Sequence, residues 1–582
     1  MFSNCHQKIH NKTYSKPWIT TDILKQIHKK DSLYHKKKKN NTQHNRKDYK
    51  VAKKDLEKTI KNAKQNYYNT IISNQSNNLK EYWDAIRVII NRKKTASGTC
   101  ALSNEVLGNH YSTVADKLSS KLVKLTDNDI PSTSKHCKSK TTYKLNTSTQ
   151  KKETYTFRKI NEREIYEGIL KLDSSKGPGT DELDVKTLKH IATTISPHLE
   201  NLFNQSIEQG IYPQTFKTAK CVPIYKGAPL DPSLPVNYRP ISILTGVNKV
   251  FERLLHDQVS QYIELYNLLP NFQYGYRKRH NTSQAVLDFT DSITKTLKQK
   301  QVSIAVFMDL SKAFDTVDKN ILEKKLNNLG LSKQSISLIM SYMDERKFCF
   351  QENPQLQYKT NYGVPQGSIL GPLLFIIYIH DMKEITDKNK IIVYADDTTV
   401  IICGRNITEA KQHCNDILER FYLYFTLNKL SINASKTKYM IYKPNLKSKG
   451  NKKALKETTI TPIEMNNIAL EEVKSIKFLG VIINNNLTWE QHKKYIHNKV
   501  SKTTGLLRKC KDFMDEKGRI KMYKTFVQPY FNYAIEVWGH TVQAESDILN
   551  KLQSKALRTI FDCKRSGDAW RHNNNRIEPV TT

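Results

Sequence analysis

Lys390-Ile-Ile-Val-Tyr-Ala395 and Thr398-Thr-Val-Ile-Ile402 are two apolar, β-branched runs separated only by Asp396-Asp397. Two residues are the length of a tight hairpin turn, so the pattern predicts paired strands that present both carboxylates at their tip. Upstream, Ser303-Ile-Ala-Val-Phe-Met-Asp-Leu310 is apolar until Asp309. Such a run predicts a strand buried on both faces that delivers its acid at the exposed end. If this strand lies beside the hairpin, three carboxylates converge on one small volume, and their repulsion calls for cations to offset it. Mg²⁺, hard and oxygen-liking, suits that donor set.

Two such ions roughly 3.5–4 Å apart activate an attacking hydroxyl and stabilise the leaving oxygen of an in-line phosphoryl displacement. The expected chemistry is nucleotidyl transfer. Each piece alone has a plain structural explanation, because Asp-Asp is an ordinary turn pair and Tyr-x-Asp-Asp arises by chance. The weight falls on the rest of the chain.

At 582 residues there is room for two or three domains, and Lys+Arg outnumber Asp+Glu by 94 to 56. A formal charge of +38 favours polyanionic partners, nucleic acid first, through release of condensed counterions. Residues 1–100 are the densest patch, with 23 Lys/Arg against 7 Asp/Glu. The nine cysteines form no C-x-x-C pair and no metal-ligand spacing with His, which argues against a disulfide framework or a zinc knuckle. The first residues carry no apolar signal run, and the most apolar stretch, Ile369 to Ile379, is too short to span a bilayer. An intracellular, soluble, reducing setting without a membrane partner is expected.

Periodicity divides the chain. Residues 1–130 read as a basic helical region, with Val51, Leu56, Ile60 and Tyr68 at broadly helical spacing. Residues 131–156 are Ser/Thr/Lys-rich and read as a linker. Apolar patterning returns over 157–484, with helical stretches near 162–172 and 188–209, a strand-like run Cys221-Val-Pro-Ile-Tyr225, and an exposed Lys/Asn-rich loop from Pro444 to Lys456. Residues 485–582 turn helical again, with Lys493, Lys494, Lys499, Lys502, Arg508 and Lys509 interleaved among apolar positions.

Phe307-Met-Asp-Leu-Ser-Lys-Ala-Phe-Asp315, Val364-Pro-Gln-Gly-Ser-Ile-Leu-Gly-Pro-Leu373 and Tyr394-Ala-Asp-Asp397 resemble three successive palm motifs of reverse transcriptases, in order and in spacing. Asn237-Tyr-Arg-Pro-Ile-Ser-Ile-Leu244, Gln273-Tyr-Gly-Tyr-Arg-Lys278, Leu427 to Tyr442 and Phe478-Leu-Gly480 resemble that family's fingers, late-palm and primer-grip motifs. The wording is most similar to non-LTR retrotransposon enzymes of the jockey-like, LINE kind. Their basic pre-polymerase region is resembled by Lys16-Pro-Trp-Ile-Thr20 through Lys94.

The resemblance implies a right-hand polymerase: an α/β (α+β) fold with fingers from about 157 to 300, a palm within the core motifs 206–484, a helical thumb, and mainly helical basic flanks. It implies metal binding by Asp309, Asp396 and Asp397, with the main chain around Leu310 also touching two Mg²⁺ ions that Mn²⁺ can replace. Nucleotide contacts would come from Lys226 and Arg239 on the triphosphate, Phe314 beneath the sugar and Gln366-Gly367 lining the nucleotide and template side. Lys436 would protonate pyrophosphate, Phe478, Leu479 and Gly480 would grip the primer, and Asp315 would serve only structurally. Implied partners are an RNA template, a DNA primer and dNTPs, and the implied location is nuclear; protein partners are not specified.

No N-terminal endonuclease or C-terminal Cys/His knuckle is recognised, so the chain reads as a truncated element product that needs another nicking activity. Two rival readings stand beside polymerisation of DNA. One is a catalytically inactive relic that binds nucleic acid through its basic flanks; the other is an RNA-synthesising palm polymerase, against which Phe314 argues.

Overall fold

The computed structural model describes residues 16–73, 84, 86–87, 102–122, 154–386, 388–444, 462–539 and 543–563. Residues 131–153 of the expected linker and 445–456 of the expected loop lie outside them. The chain divides into two compact units, Gly98–Thr488 and Met1–Ser97 together with Trp489–Thr582.

Nine strands position the site in the unit Gly98–Thr488: β1 (Thr218–Tyr225), β2 (Tyr238–Ile243), β3 (Val302–Met308), β4 (Arg346–Phe350), β5 (Asn353–Thr360), β6 (Lys390–Tyr394), β7 (Asp397–Gly404), β8 (Lys438–Tyr442) and β9 (Glu471–Glu472). They form a five-stranded sheet in the order β9-β8-β3-β7-β6 and a four-stranded sheet in the order β2-β1-β4-β5. The mixed helix-and-strand architecture is the one expected.

β3 is central and buried along its whole length, because both faces of its sheet are covered. Ile304, Val306 and Met308 share a core with Val400 and Ile402 and with Cys414 and Phe421 of helix Ile407–Leu427. On the opposite face Phe307 meets Phe289 of helix Thr282–Lys298 at 5.7 Å between ring centroids. Period-2 side-chain alternation sends odd and even residues of one strand to these two cores. That is why the sequence shows a continuous apolar run.

The four-stranded sheet joins segments that lie far apart in the chain. β4 and β5 follow β3 in the chain, yet β1 pairs with β4 in parallel, Ala219 opposite Phe348. Pairing over such a sequence distance leaves no mark on local periodicity.

One correction concerns the expected basic region 1–130, whose described residues do not form one unit. Helix Asn104–Leu122 belongs with the sheets, where Leu107 and Tyr111 join Tyr238, Phe348 and Tyr358 in a separate core. Helices Thr21–Lys39 and Gln43–Ser73 belong instead with the C-terminal helices Glu490–Cys510, Glu516–Phe526 and Gln543–Phe561. Tyr68 packs on Trp18 at 5.6 Å and on Phe513 at 6.2 Å, and Asn69 Oδ1 accepts from Asp515 N at 2.8 Å. An amphipathic pattern shows that a face is apolar but not which element covers it. Among the described residues no helix is long and apolar enough to cross a membrane.

A buried ion pair fixes the core beneath the first sheet. Lys325, only 3% exposed, donates to Asp381 Oδ1 at 2.9 Å and also to the Tyr378 carbonyl and Asn428 Oδ1. Lys325→Met is expected to destabilise the unit by about 3–5 kcal/mol, because it leaves Asp381 buried without its cation. The midpoint of urea unfolding checks this.

Candidate active site

Strand register brings the acids to one end of the five-stranded sheet. Met308 pairs with Thr398 across β3 and β7, and Tyr394 pairs with Asp397 across β6 and β7. Asp309, one residue past Met308, therefore continues beside Asp397. The hairpin turn is Ala395-Asp396, one residue earlier than expected, and Asp397 is the first residue of β7. Ala395 takes φ 61° whereas Asp396 stays outside the left-handed region, the φ pattern of a II′ turn.

β3 also stops short of its expected end at Leu310. The Asp309 carbonyl accepts from Asn433 N at 2.8 Å, and Leu310-Ser311 forms its own short ladder with Ser431-Ile432. The Leu310 side chain is buried. Lys436 follows in the same connection, largely exposed, with Nζ 3.4 Å from Asp309 Oδ2.

The carboxyls feel one another. Burial first, then the charges of Asp396 and Asp309, push the Asp397 carboxyl up to about 6, although its outer surface remains open to solvent. Burial also raises Asp396, with Asp309 adding to the rise and Arg239 opposing it. Among the described residues no three His, Cys, Asp or Glu side chains are gathered closely enough to hold a metal ion. The Lys436 ammonium, 3.4 Å from Asp309 Oδ2, offsets part of the negative charge at this end of the sheet. The donor chemistry nevertheless fits a hard divalent cation: all oxygen, with acids whose raised proton affinity a positive charge would reverse.

The four-stranded sheet supplies cations. Arg239 lies exposed on β2, opposite Ile224, and its charge reaches Asp396. Lys226, just past β1, donates to the Val236 carbonyl at 2.7 Å. Partial burial, then the neighbouring Arg239 and Lys436, lower its pKa from the usual lysine range.

Phe314 sits in the short turn Ala313–Asp315, stacked on buried Phe375 at 4.5 Å and meeting Tyr276 edge-on at 6.2 Å. Its carbonyl accepts from Val364 N at 2.8 Å, which ties this turn to the loop of Gln366 and Gly367. Gln366 Nε2 donates to Asp315 Oδ1 at 2.7 Å, and the Gln366 carbonyl accepts from Ser242 N of β2 at 2.7 Å. Gly367 has φ 120°, and a Cβ there would lie 2.5 Å from the Ser242 carbonyl oxygen. Phe478 is buried against Phe307 and Phe289, while Leu479 and Gly480, at φ 43° and 92°, turn the hairpin between Ser475–Phe478 and Val481–Asn484.

Sequence reasoning gave no role to three residues found here. Tyr276 abuts Phe314, and buried Gln273 lies against the Ala395 turn; both belong to a segment read only as a motif. His110, from helix Asn104–Leu122, contacts Lys312 Nζ at 3.0 Å through Nε2. Burial, then Lys312, Lys117 and Lys226, lower its pKa to about 4, so it is neutral and can accept from the ammonium. A lone His some 200 positions from its partner carries no sequence signal.

Residues 226–483 match the family described as reverse transcriptase (RNA-dependent DNA polymerase). Proteins of the Drosophila melanogaster transposons X-element and BS are 26% and 28% identical over 69% of this chain, covering 44% and 45% of their own lengths. The RNA-directed DNA polymerase of mobile element jockey from Drosophila funebris is 29% identical over 71% of the chain and 45% of its own length. The chain thus spans less than half the length of these relatives. A solved telomerase from Candida albicans, in complex with a fragment of telomeric RNA, covers 65% of this chain and is itself covered to 68%, at 13% identity and a TM-score of 0.38, too loose a likeness to carry an argument.

Proposed function

We propose that this chain, whose residues 226–483 match the reverse transcriptase family and which resembles non-LTR retrotransposon proteins at 26–29% identity, extends a DNA primer along an RNA template with dNTPs. One observation carries the reading: the register that sets Asp309 beside Asp397 and next to the Asp396 turn, facing Arg239. Asp309, Asp396 and Asp397 would hold two Mg²⁺ ions, for which Mn²⁺ could substitute. Bound there, the ions would supply an activated primer hydroxyl and a stabilised leaving oxygen.

The chain's own residues do the rest. Arg239 offers a planar fork to triphosphate oxygens, and Lys226 adds a point charge beside it. Phe314 forms a plate under the sugar, and Gln366-Gly367 lines the base pair from the loop docked on β2. The primer 3′-oxygen bonds to the α-phosphorus as the bond to pyrophosphate breaks. Lys436, exposed and already beside Asp309, donates a proton to that leaving group. The Leu479-Gly480 turn meets the primer, while Phe478 anchors the turn to the sheet. A nuclear location accords with this reading.

Primer extension on a primed RNA template, with dNTPs and NTPs compared, tests it. Mg²⁺-dependent dNTP incorporation is expected. A clear NTP preference would favour an RNA-synthesising enzyme, and no incorporation with retained nucleic-acid binding would favour an inactive relic. Gly367→Ala is expected to raise KM for dNTP by roughly tenfold or more, since its Cβ would meet main chain and its φ is one that alanine rarely adopts. Steady-state kinetics with a melting curve separate this from unfolding.

A further inference from the structure

β6 is the last strand of the five-stranded sheet, yet its outer side is not bare. The segment from Phe272 to Gly275 runs beside it. Tyr274 N donates to the Val393 carbonyl at 2.8 Å, Val393 N donates to the Phe272 carbonyl at 2.8 Å, and Gln273 bridges to Val393 in parallel. Side chains secure the same segment: Tyr274 Oη donates to Asp288 Oδ2, and Lys390 of β6 pairs with that oxygen at 2.6 Å.

Gln273 is 2% exposed, and its Oε1 accepts from two amides, Gly275 N at 2.9 Å and Ala395 N at 3.3 Å. Ala395 is the turn residue with φ 61°, a conformation that an L side chain adopts only when its surroundings hold it there. The amides at the centre of a two-residue turn lie outside the strand ladder, so a side-chain acceptor is what can fix them. Gly275 closes the arrangement from the other side. A Cβ there would come within 2.5 Å of Ala395 N and 3.1 Å of the Tyr394 carbonyl carbon, so the two backbones touch.

We propose that Gln273 is a positioning residue that, with Gly275, holds Ala395 in its left-handed conformation and so sets the directions in which Asp396 and Asp397 leave the hairpin. This rests on the reading of those two acids as metal-binding. A buried acceptor on a turn amide acts on the orientation of the acids and not on the nucleotide pocket, so it should move metal affinity and kcat together while sparing KM for dNTP.

The test uses Gln273→Leu, which removes the acceptor at similar size, and Gly275→Ala, which keeps Gln273 but drives a methyl into the turn. Primer-extension kinetics, Mn²⁺ binding followed by electron paramagnetic resonance and thermal melting are measured on both and on Asp396→Asn. Each of the two variants is expected to lower kcat by roughly tenfold to a hundredfold, with KM for dNTP held within about threefold and Mn²⁺ bound more weakly. If Gln273→Leu does not melt cooperatively, Gly275→Ala decides alone. Wild-type kcat and Mn²⁺ affinity in a folded variant, with Asp396→Asn inactive, would overturn the positioning role and leave the metal site standing. Asp396→Asn that binds Mn²⁺ and polymerises normally would overturn both.

Discussion

Asp396→Asn is expected to lower the rate of dNTP incorporation on a primed RNA template by at least about 10³-fold, which corresponds to roughly 4 kcal/mol of transition-state stabilisation. The substitution keeps the size of the side chain and its place in the turn, and removes one negative charge from a site whose proposed work is to hold cations. It should not unfold the protein. The Asp396 carboxyl is raised from its usual range, chiefly by burial and then by Asp309. An acid raised in this way costs no stability below its ordinary pKa, where folded and unfolded chains are both protonated, and costs progressively more as pH rises through the folded value. Asn at this position should therefore leave the melting temperature unchanged at acid pH and equal or higher at neutral pH. Loss of activity with an intact melt is the expected pair of results. Activity that survives the change would sink the proposed metal site.

The parts of this site legible in the sequence were those whose signal is local. β3 reads as a strand because both its faces are covered, and nothing polar interrupts it before Asp309. The β6–β7 hairpin reads from two apolar runs at turn spacing, but its turn lies one residue earlier than the reading placed it. Asp and Asn tolerate the left-handed region more readily than Ala, so local preference pointed to Asp396. The bond from Ala395 N to Gln273, 122 positions upstream in the chain, supplies a tertiary hold that propensity cannot see. The same limit hid the joining of β4 to β1 and the approach of His110 to Lys312. It also hid the packing of Tyr68 against Phe513. Each is a contact between distant segments whose local patterns are ordinary.

Phe314→Val is expected to reduce discrimination of dNTPs over NTPs by on the order of 10²-fold, or about 2.7 kcal/mol, mainly by raising kcat/KM for NTPs. Core packing and contact with the sugar are both compatible with the placement of Phe314. One face of the ring lies 4.5 Å from buried Phe375, and Tyr276 meets it edge-on. Hydrogen bonding of its carbonyl to Val364 N fixes the turn that carries it, and the ring itself is only partly buried. A plate supported in this way cannot retreat when a 2′-hydroxyl presses on it, so steric exclusion should be strong. Shortening the side chain opens the space directly and leaves the three aspartates untouched. Phe314→Tyr keeps the ring and should stay within about threefold of wild-type discrimination. A smaller effect than this on Phe314→Val, with the protein folded and active on dNTPs, would assign the ring to the core and place sugar selection elsewhere. Paired kcat/KM values for one dNTP and its matching NTP, measured on the same primed template, decide between these outcomes.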